Sequence, residues 1–359
     1  MYFNKEGKAT TMTIDDKFMN RCVQLAKQGA GYVAPNPMVG AALVHEGRII
    51  GEGFHQQYGK AHAEVNCINS VLEEDKQLVP QSTLYVSLEP CAHYGKTPPC
   101  TDLIIEKKIP HVVIGCRDPF KEVNGKGIEK LLQAGIDVTQ LVLEKECIQL
   151  NKRFFTFHTK HRPYIILKWA QSNNGKIARL HGERMFISNE FTNRLVHKWR
   201  SEEASILVGR NTALLDDPEL NVRLWSGTDP VRMAVDMDLR LPQSLKIFNQ
   251  KSKTVIFNSI KYEEKGNLLY YQVTNDVSII HQMLNALYQL KIQSVLVEGG
   301  AKLLQSFIDE GIWDEARVIN NEALIIDNGV NAPLLNQAQL TNTESVFSDR
   351  ISYYQNLNP

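Results

Sequence analysis

Four side chains carry the most specific chemistry in this sequence: His62 and Glu64 in GKAHAEV, Cys91 after LYVSLEP, and Cys100 in PPC. One imidazole and two thiolates make three ligands for zinc, and a zinc with three protein ligands keeps a fourth position for water. Water held there ionises near neutral pH. A carboxylate that is not a ligand must then move the protons. Glu64, two residues from His62, is placed to take one from the water and hand it to leaving ammonia.

Positioning these groups requires helix starts beside strand ends. AHAEVNCINSVLEE reads as a helix that opens at His62, and STLYVSLEP reads as a strand that stops at Pro90-Cys91. Pro98 and Pro99 fix the backbone entering a helix TDLIIEKKI, so Cys100 sits at a helix mouth, where unpaired N–H groups lower a thiol pKa. Before them lie an amphipathic helix from Ile14 with Phe18, Cys22 and Leu25 on one face, the turn PNPMVG, and a hairpin turning at Glu46-Gly47. After them come a strand (HVVIGCRDP), a helix (GIEKLLQAG) and a strand (DVTQLVL). Cys22, Cys67, Cys116 and Cys147 fall on apolar faces and read as core.

The chain has 359 residues, enough for about two domains. With 40 Lys plus Arg against 40 Asp plus Glu, the balance argues against a nucleic-acid backbone or an anionic membrane and favours a small-molecule partner. The opening MYFNKEGKATTM lacks the apolar stretch of a secretory signal, and no apolar run approaches a membrane span. The expectation is a cytoplasmic protein with reduced thiols. Residues 1–12 read as a floppy extension, 13–158 as one α/β domain and 159–359 as a second, the basic, aromatic NKRFFTFHTKHRP marking the change.

The second half lacks metal spacing and has neither a Rossmann fingerprint nor a P-loop in a strand-to-helix context. It alternates strands (PYIILKWAQS, SILVG, VRMAVD, KTVIFN, SVLVEGG) with helices (NEFTNRLVHKWRSEE, SIIHQMLNALYQL, KLLQSFIDEG), reads NTALLDDPELNVR as a loop, and ends β-rich. In SVLVEGGAKLLQSF a β-branched strand meets Glu298-Gly299-Gly300 and then a helix, a junction where a diphosphate can approach the backbone; a purely structural turn is the competing reading. Arg200 in HKWR reads either as a phosphate ligand or as an exposed, salt-bridged helix charge, and Arg223 and Arg184 are further phosphate candidates.

H-x-E followed by P-C is the order found in zinc nucleobase deaminases, which usually close with P-C-x-x-C; here eight residues separate Cys91 from Cys100. PNPMVG (35–40), GEGFH (51–55), HAEV (62–65) and SLEPCAHYGKTPPC (87–100) resemble the bifunctional deaminase–reductase family of riboflavin biosynthesis. KWAQSNNGKIA (168–178), HKWR (197–200), ILVGRNTALLDDPELNVR (206–223) and VEGG (297–300) resemble the reductase half of the same family, in the same order. The resemblance implies a cytidine-deaminase-like α/β/α sandwich followed by a dihydrofolate-reductase-like α/β domain, one Zn²⁺ per chain in the first and NADPH in the second. It implies a diaminopyrimidinone substrate carrying a phosphoribosylamino group, deaminated and then reduced to the ribityl form. Asn36, His55, His93, Lys96 and Asp118 would hold that substrate in the first domain, and Arg184, Arg200, Leu220, Arg223 and Glu298 in the second. Asp216 would contact the reacting ribosyl group and the cofactor; Ala170, Phe186, Thr212, Gly299, Gly300, Ala301, Lys302 and Leu303 would contact NADPH.

Four places depart from the family pattern: Ala34 before PNP, where the family often has His or Ser, Phe120 in DPF, Asn174 where the family carries Asp, and Phe186-Ile187-Ser188 for a Trp-led element. The competing functions are a deaminase of another nucleobase, and an active deaminase whose C-terminal half only binds nucleotide. A homo-oligomer, at least a dimer, is expected by analogy with such reductases.

Overall fold

The structure, a computed structural model, describes residues 2–3, 9–10, 12–94, 98–180 and 185–359. The chain forms two compact units, residues 1–160 and 161–359, each with its own sheet. Of the extension expected over 1–12, most lies outside the described residues; Tyr2–Phe3 and Ala9–Thr10 pair antiparallel.

In the first unit, helix α1 (Ile14–Ala26) starts at a capping box: Thr13 Oγ1 accepts from Asp16 N and the Asp16 carboxylate accepts from Thr13 N. Its buried face (Phe18, Met19, Cys22, Val23) lies on strand β1 (Gly40–His45). The approach is so close that a Cβ on Gly40 would stand 2.0 Å from Cys22 O. β1 turns into β2 (Arg48–Phe54) at Glu46 and Gly47, both at positive φ, which suits the twist of a two-residue hairpin. Then follow α2 (Ala63–Asn69), β3 (Thr83–Leu88), α3 (Cys100–Glu106), β4 (His111–Cys116), α4 (Lys126–Gln133) and β5 (Asp137–Thr139). The sheet runs β2-β1-β3-β4-β5, with the last three strands parallel. Leu43, Leu84, Val86 and Val112 are fully buried at its centre. The four cysteines expected in the core are fully buried there.

Three local expectations change. The helix expected to run on from His62 stops at Asn69 and gives way to a 3₁₀ stretch, Glu73–Gln81. The strand expected over 137–143 ends at Thr139, because Leu141 and Leu143 take positive φ. The stretch expected as a boundary is helical: α5 (Glu144–Leu150) leads to α6 (Lys152–Lys160), which buries Phe154 and Phe157. Asn151 between them holds the PNPMVG turn through both amide groups, Met38 N to Oδ1 and Nδ2 to Met38 O, each at 2.8 Å.

The second unit opens with β6 (Tyr164–Ser172) and β7 (Lys176–Arg179), then α7 (Glu190–Glu202), β8 (Ser205–Gly209), α8 (Arg210–Asp216), β9 (Val231–Val235), β10 (Thr254–Asn258), β11 (Glu263–Lys265), β12 (Leu268–Gln272), α9 (Ile279–Gln289), β13 (Ser294–Val297) and α10 (Ala301–Asp309). It closes with β14 (Glu315–Asn321), β15 (Gly329–Asn331), β16 (Ala338–Val346) and β17 (Asp349–Asn356). Ten strands form one sheet, β11-β12-β10-β9-β8-β13-β6-β14-β17-β16, parallel from β12 through β14. Its core gathers Trp313, Phe307, Phe257 and Met233. The first part of the stretch expected as a loop, 211–223, is helical as α8, because Gly209 leads straight into it. At the Asn174 departure, Nδ2 donates to Ile326 O at 2.9 Å and Oδ1 accepts from Ile326 N at 3.2 Å, tying down the turn between β6 and β7. Among the described residues, no helix is long and apolar enough to cross a membrane.

Candidate functional site

In an α/β sheet the groups that act on a ligand collect beyond the carboxyl ends of the parallel strands. In the first unit that edge brings the predicted ligands together. His62 precedes α2 in an extended conformation and makes no capping hydrogen bond, so its ring is free to turn toward the cysteines. Cys91 follows β3 and Cys100 opens α3. His62 Nδ1 lies 3.6 Å from Cys91 Sγ and 3.3 Å from Cys100 Sγ, and the three atoms fall within 4.8 Å of one another. Four-coordinate zinc with bonds of about 2.0–2.3 Å sets its ligand atoms about 3.5–3.8 Å apart, so this set fits that ion.

The electrostatics suit the same use. Hydrogen bonding from Cys100 holds the Cys91 thiol well below its usual range, against desolvation and with help from His62 and the Cys100 N–H. Glu64, in the first turn of α2, is 3% exposed; burial pushes its carboxyl up, with His62 opposing. A carboxyl so placed holds a proton more readily than one in water.

Around this centre, His55 is buried, with Nδ1 at 3.0 Å from Ala61 O and Nε2 at 3.1 Å from Asn36 Nδ2; its ring stands edge-on to His62. Asp118 is buried beyond β4, and burial pushes its carboxyl up to about 7. His93 Nδ1 is buried without a hydrogen-bond partner, and its ring meets Phe120 edge-on. Lys96 lies outside the described residues. Sequence reasoning missed Glu89, which sits just before Pro90. It accepts from the N–H groups of Asp118, Gly125, Gly127 and Ile128, and so pins the loop that carries Asp118. The signal was present: an acid between an apolar strand and a proline has no obvious surface role.

In the second unit Arg200 is not an exposed helix charge. Its side chain is 12% exposed and grips Glu298 with two bonds, Nε to Oε1 at 2.8 Å and Nη2 to Oε2 at 2.6 Å. Lys168 Nζ reaches Glu298 at 3.6 Å. Burial alone would raise the Glu298 carboxyl, but Arg200 and Lys168 hold it at about 2. Burial lowers Lys168, with Glu298 opposing. Beside them, burial together with Arg200 and Arg223 pushes His197 down to about 4, and its Nδ1 accepts from Arg223 N at 3.2 Å. Lys168 was the residue missed here. It shares a face of β6 with Ala170, two positions on.

Leu220 is buried at positive φ, and Arg223 is exposed with Nη1 on Asn221 Oδ1 at 3.1 Å. Asp216 ends α8, half-buried, and Phe186 is 71% exposed. Arg184 lies outside the described residues. A Cβ on Gly299 would stand 2.9 Å from Thr212 Cγ2, and Gly300 takes φ 78°; no side chain caps α10. The first-turn N–H groups at Ala301, Lys302 and Leu303 therefore face a cradle that only glycine leaves open, which fits the diphosphate of a dinucleotide.

Known proteins give a consistent picture. Residues 12–116 match the cytidine and deoxycytidylate deaminase zinc-binding region, and residues 163–325 match the RibD C-terminal domain. The chain is 42% identical over 306 residues to the riboflavin biosynthesis protein RibD of Aquifex aeolicus, covering 84% of this chain and 85% of that one. It is 34% identical to the Escherichia coli protein of the same name, covering 84% and 86%. The crystal structure of a diaminohydroxyphosphoribosylaminopyrimidine deaminase/5-amino-6-(5-phosphoribosylamino)uracil reductase from Thermotoga maritima superimposes with a TM-score of 0.86 at 37% identity, covering 96% of this chain and 99% of that one. With both family models in the expected order and relatives of one name matched over more than four fifths of each chain, this protein belongs to the RibD family, the bifunctional deaminase–reductases of riboflavin biosynthesis.

Proposed function

We propose that the first unit hydrolyses the 2-amino group of 2,5-diamino-6-(5-phosphoribosylamino)pyrimidin-4(3H)-one. The second unit then reduces the resulting 5-amino-6-(5-phosphoribosylamino)uracil to its ribityl form. The observation that carries the first half is the convergence of His62, Cys91 and Cys100 beside a buried Glu64. Zinc held by these three residues supplies Lewis acidity and a nucleophilic water at neutral pH. Glu64 would take a proton from the attacking water as the C–O bond forms and return it to the nitrogen as the C–N bond breaks and ammonia leaves. Asn36 and His55, already bonded to each other, present a polar edge to the pyrimidine. Asp118, protonated in part near neutrality, donates to or accepts from the ring, and His93 and Lys96 hold the phosphoribosyl tail.

For the second half, NADPH held at this unit's glycine cradle would supply the hydride that reduces C1′ of the opened ribosylamine. Lys168, Arg200 and Glu298 form the rigid polar floor on which the substrate is oriented, Glu298 staying ionised and fixing both cations. Arg223 and Arg184 meet the substrate phosphate, with Leu220 beneath it. Asp216 faces the ribosyl chain. Ala170, Phe186, Thr212 and Gly299 to Leu303 hold the cofactor. The functional division is 13–158 and 159–359, the protein works in the cytoplasm on a small-molecule substrate, and it assembles as a homo-oligomer.

The test mixes the purified, zinc-loaded protein with the diaminopyrimidinone, with and without NADPH. Ammonia release in both cases, and NADPH oxidation only after deamination, is expected. Ammonia release with no NADPH oxidation would sink the reductase half; oxidation without ammonia would sink the deaminase half.

A further inference from the structure

We infer that Arg210 recognises the 2′-phosphate on the adenosine of the cofactor and so sets the preference for NADPH over NADH. The inference rests on the reading of the second unit as a dinucleotide-dependent reductase, and deepens it. The hydride end of the cofactor must lie against the substrate floor, where Lys168 of β6 meets Glu298 beyond β13. The diphosphate cradle at Gly299 and Gly300 abuts Thr212 of α8. With strand order β6-β13-β8-β9, the adenosine half leaves the cradle on the side away from β6, across the carboxyl ends of β8 and β9.

Arg210 stands at that place, immediately after β8, with its side chain 39% exposed. Its bonding is sparser than that of three other arginines of this unit. Arg162 and Arg200 each donate three hydrogen bonds and Arg232 donates four. Arg210 Nε is buried without a hydrogen-bond partner. Its one counter-ion among the described residues, Asp236 Oδ1, lies 3.4 Å from that same Nε, which leaves Nη1 and Nη2 without an ion pair.

That carboxylate is committed elsewhere. Asp236 follows β9, is 1% exposed, and accepts from Arg240 N at 3.1 Å and Leu241 N at 2.8 Å. Turned onto those backbone groups, it fixes the position of the guanidinium without occupying its fork. Two cations that follow β9 and β10 are already paired, Arg240 with Asp238 and Lys261 with Glu263. A planar fork with donors to spare, at the adenosine end of the crevice, matches a phosphate monoester dianion better than a ribose hydroxyl.

The test is steady-state kinetics of full-length, zinc-loaded Arg210→Gln with the deaminated substrate. Loss of a charge-assisted phosphate contact is expected to lower the ratio of kcat/KM for NADPH to that for NADH about 10–100-fold, mainly through KM for NADPH. An unchanged ratio overturns the assignment. A measurement on the unaltered protein guards against a variant that fails to fold: adenosine 2′,5′-bisphosphate is expected to compete with NADPH at least about tenfold better than AMP. Equal competition by the two overturns the assignment whatever the variant does. Equal use of NADPH and NADH by the unaltered enzyme would remove Arg210's role alone, whereas oxidation of neither would remove the reductase reading with it.

Discussion

The two units solve the same task, holding a phosphorylated sugar-pyrimidine still while one bond changes, with opposite materials. The deaminase unit concentrates its chemistry between His62 and Cys100, on scarce residue types whose order alone is informative. The proposed floor of the reductase unit is the charged cluster of Lys168, Arg200 and Glu298, the last two separated by 98 positions. Those are common residues, and they acquire meaning only when the sheet brings them together out of water. A metal centre tolerates modest burial because the ion organises its ligands. A cluster of fixed charges must be enclosed and fully paired, or each member would cost more than it contributes.

The sharpest way to break this comparison is at Glu64, the proposed proton carrier of the first unit. Glu64→Gln keeps the shape and removes the carboxyl that could take up and return a proton. Ammonia release should fall about 10²–10⁴-fold. Zinc content, read by elemental analysis, should stay at one per chain, because Glu64 is not a ligand. Reduction of the separately supplied deaminated substrate should be untouched. Loss of zinc together with activity would show that the division between ligands and proton carrier is wrong.

In the second unit the corresponding break is Glu298→Gln. It leaves Arg200 and Lys168 buried without their counter-charge, a defect that costs about 3–5 kcal/mol. Denaturant unfolding followed separately for the two units should show the second destabilised by that amount and the first unchanged. A loss below about 1 kcal/mol would place the cluster in contact with water.

The sequence was readable in proportion to how local each signal is. The hairpin at Glu46-Gly47 and the order of His62, Glu64, Cys91 and Cys100 are short-range patterns, and the structure brings the three ligands together as their spacing implied. Lys168 was passed over because a lysine inside an apolar strand gives no sign of its partner until β13 lies alongside. Glu89 was passed over for the same reason: the four N–H groups it receives come from Asp118 and from the start of α4, 29 to 39 residues on. Helix α6 was hidden by its charge, since Phe154 and Phe157 are a short apolar face among basic residues. Arg200 was ambiguous because helical spacing alone does not tell whether a polar face meets solvent or a buried carboxylate.

The contrast also predicts opposite responses to acid. Burial pushes His197 down to about 4 from an ordinary 6.5, so between those values the unfolded chain holds the extra proton. Its contribution is whole above pH 6.5 and is lost as pH falls toward 4, when protonation also takes the acceptor from Arg223 N. Glu298, held at about 2 against an ordinary 4.5, adds a further loss that begins near pH 4.5 and runs below 4. Asp118 works the other way. Burial raises it to about 7 from 3.8, so the folded first unit binds the proton between those values and gains from this group as pH falls. Thermal melts resolved by unit should show the second losing stability from pH 6.5 to 4, and His197→Gln should flatten the upper part of that fall. In the first unit, Asp118→Asn should stabilise at pH 8 and bring no gain at pH 4. Parallel responses of the two units would break the comparison.

The smallest effect concerns a departure from the family pattern. Asn174 both donates to Ile326 O and accepts from Ile326 N, and accepts again from Ser172 Oγ at 2.7 Å. Asn174→Asp restores the residue type usual in the family but removes the donor, setting a carboxylate oxygen against the Ile326 carbonyl. The residue is exposed, so water replaces part of the lost bond and the expected cost at pH 8 is about 1 kcal/mol or less. Reductase kcat/KM should move by less than about twofold, since the turn sits outside the Lys168–Arg200–Glu298 floor. The difference in urea midpoint should shrink as pH falls through the new carboxyl's titration, because a protonated acid donates to the same carbonyl. A cost that persists unchanged in acid would mean that the turn depends on the amide's shape and not on its donor. The reductase unit would then be sensitive to local geometry at its sheet edge as well as to charge at its floor.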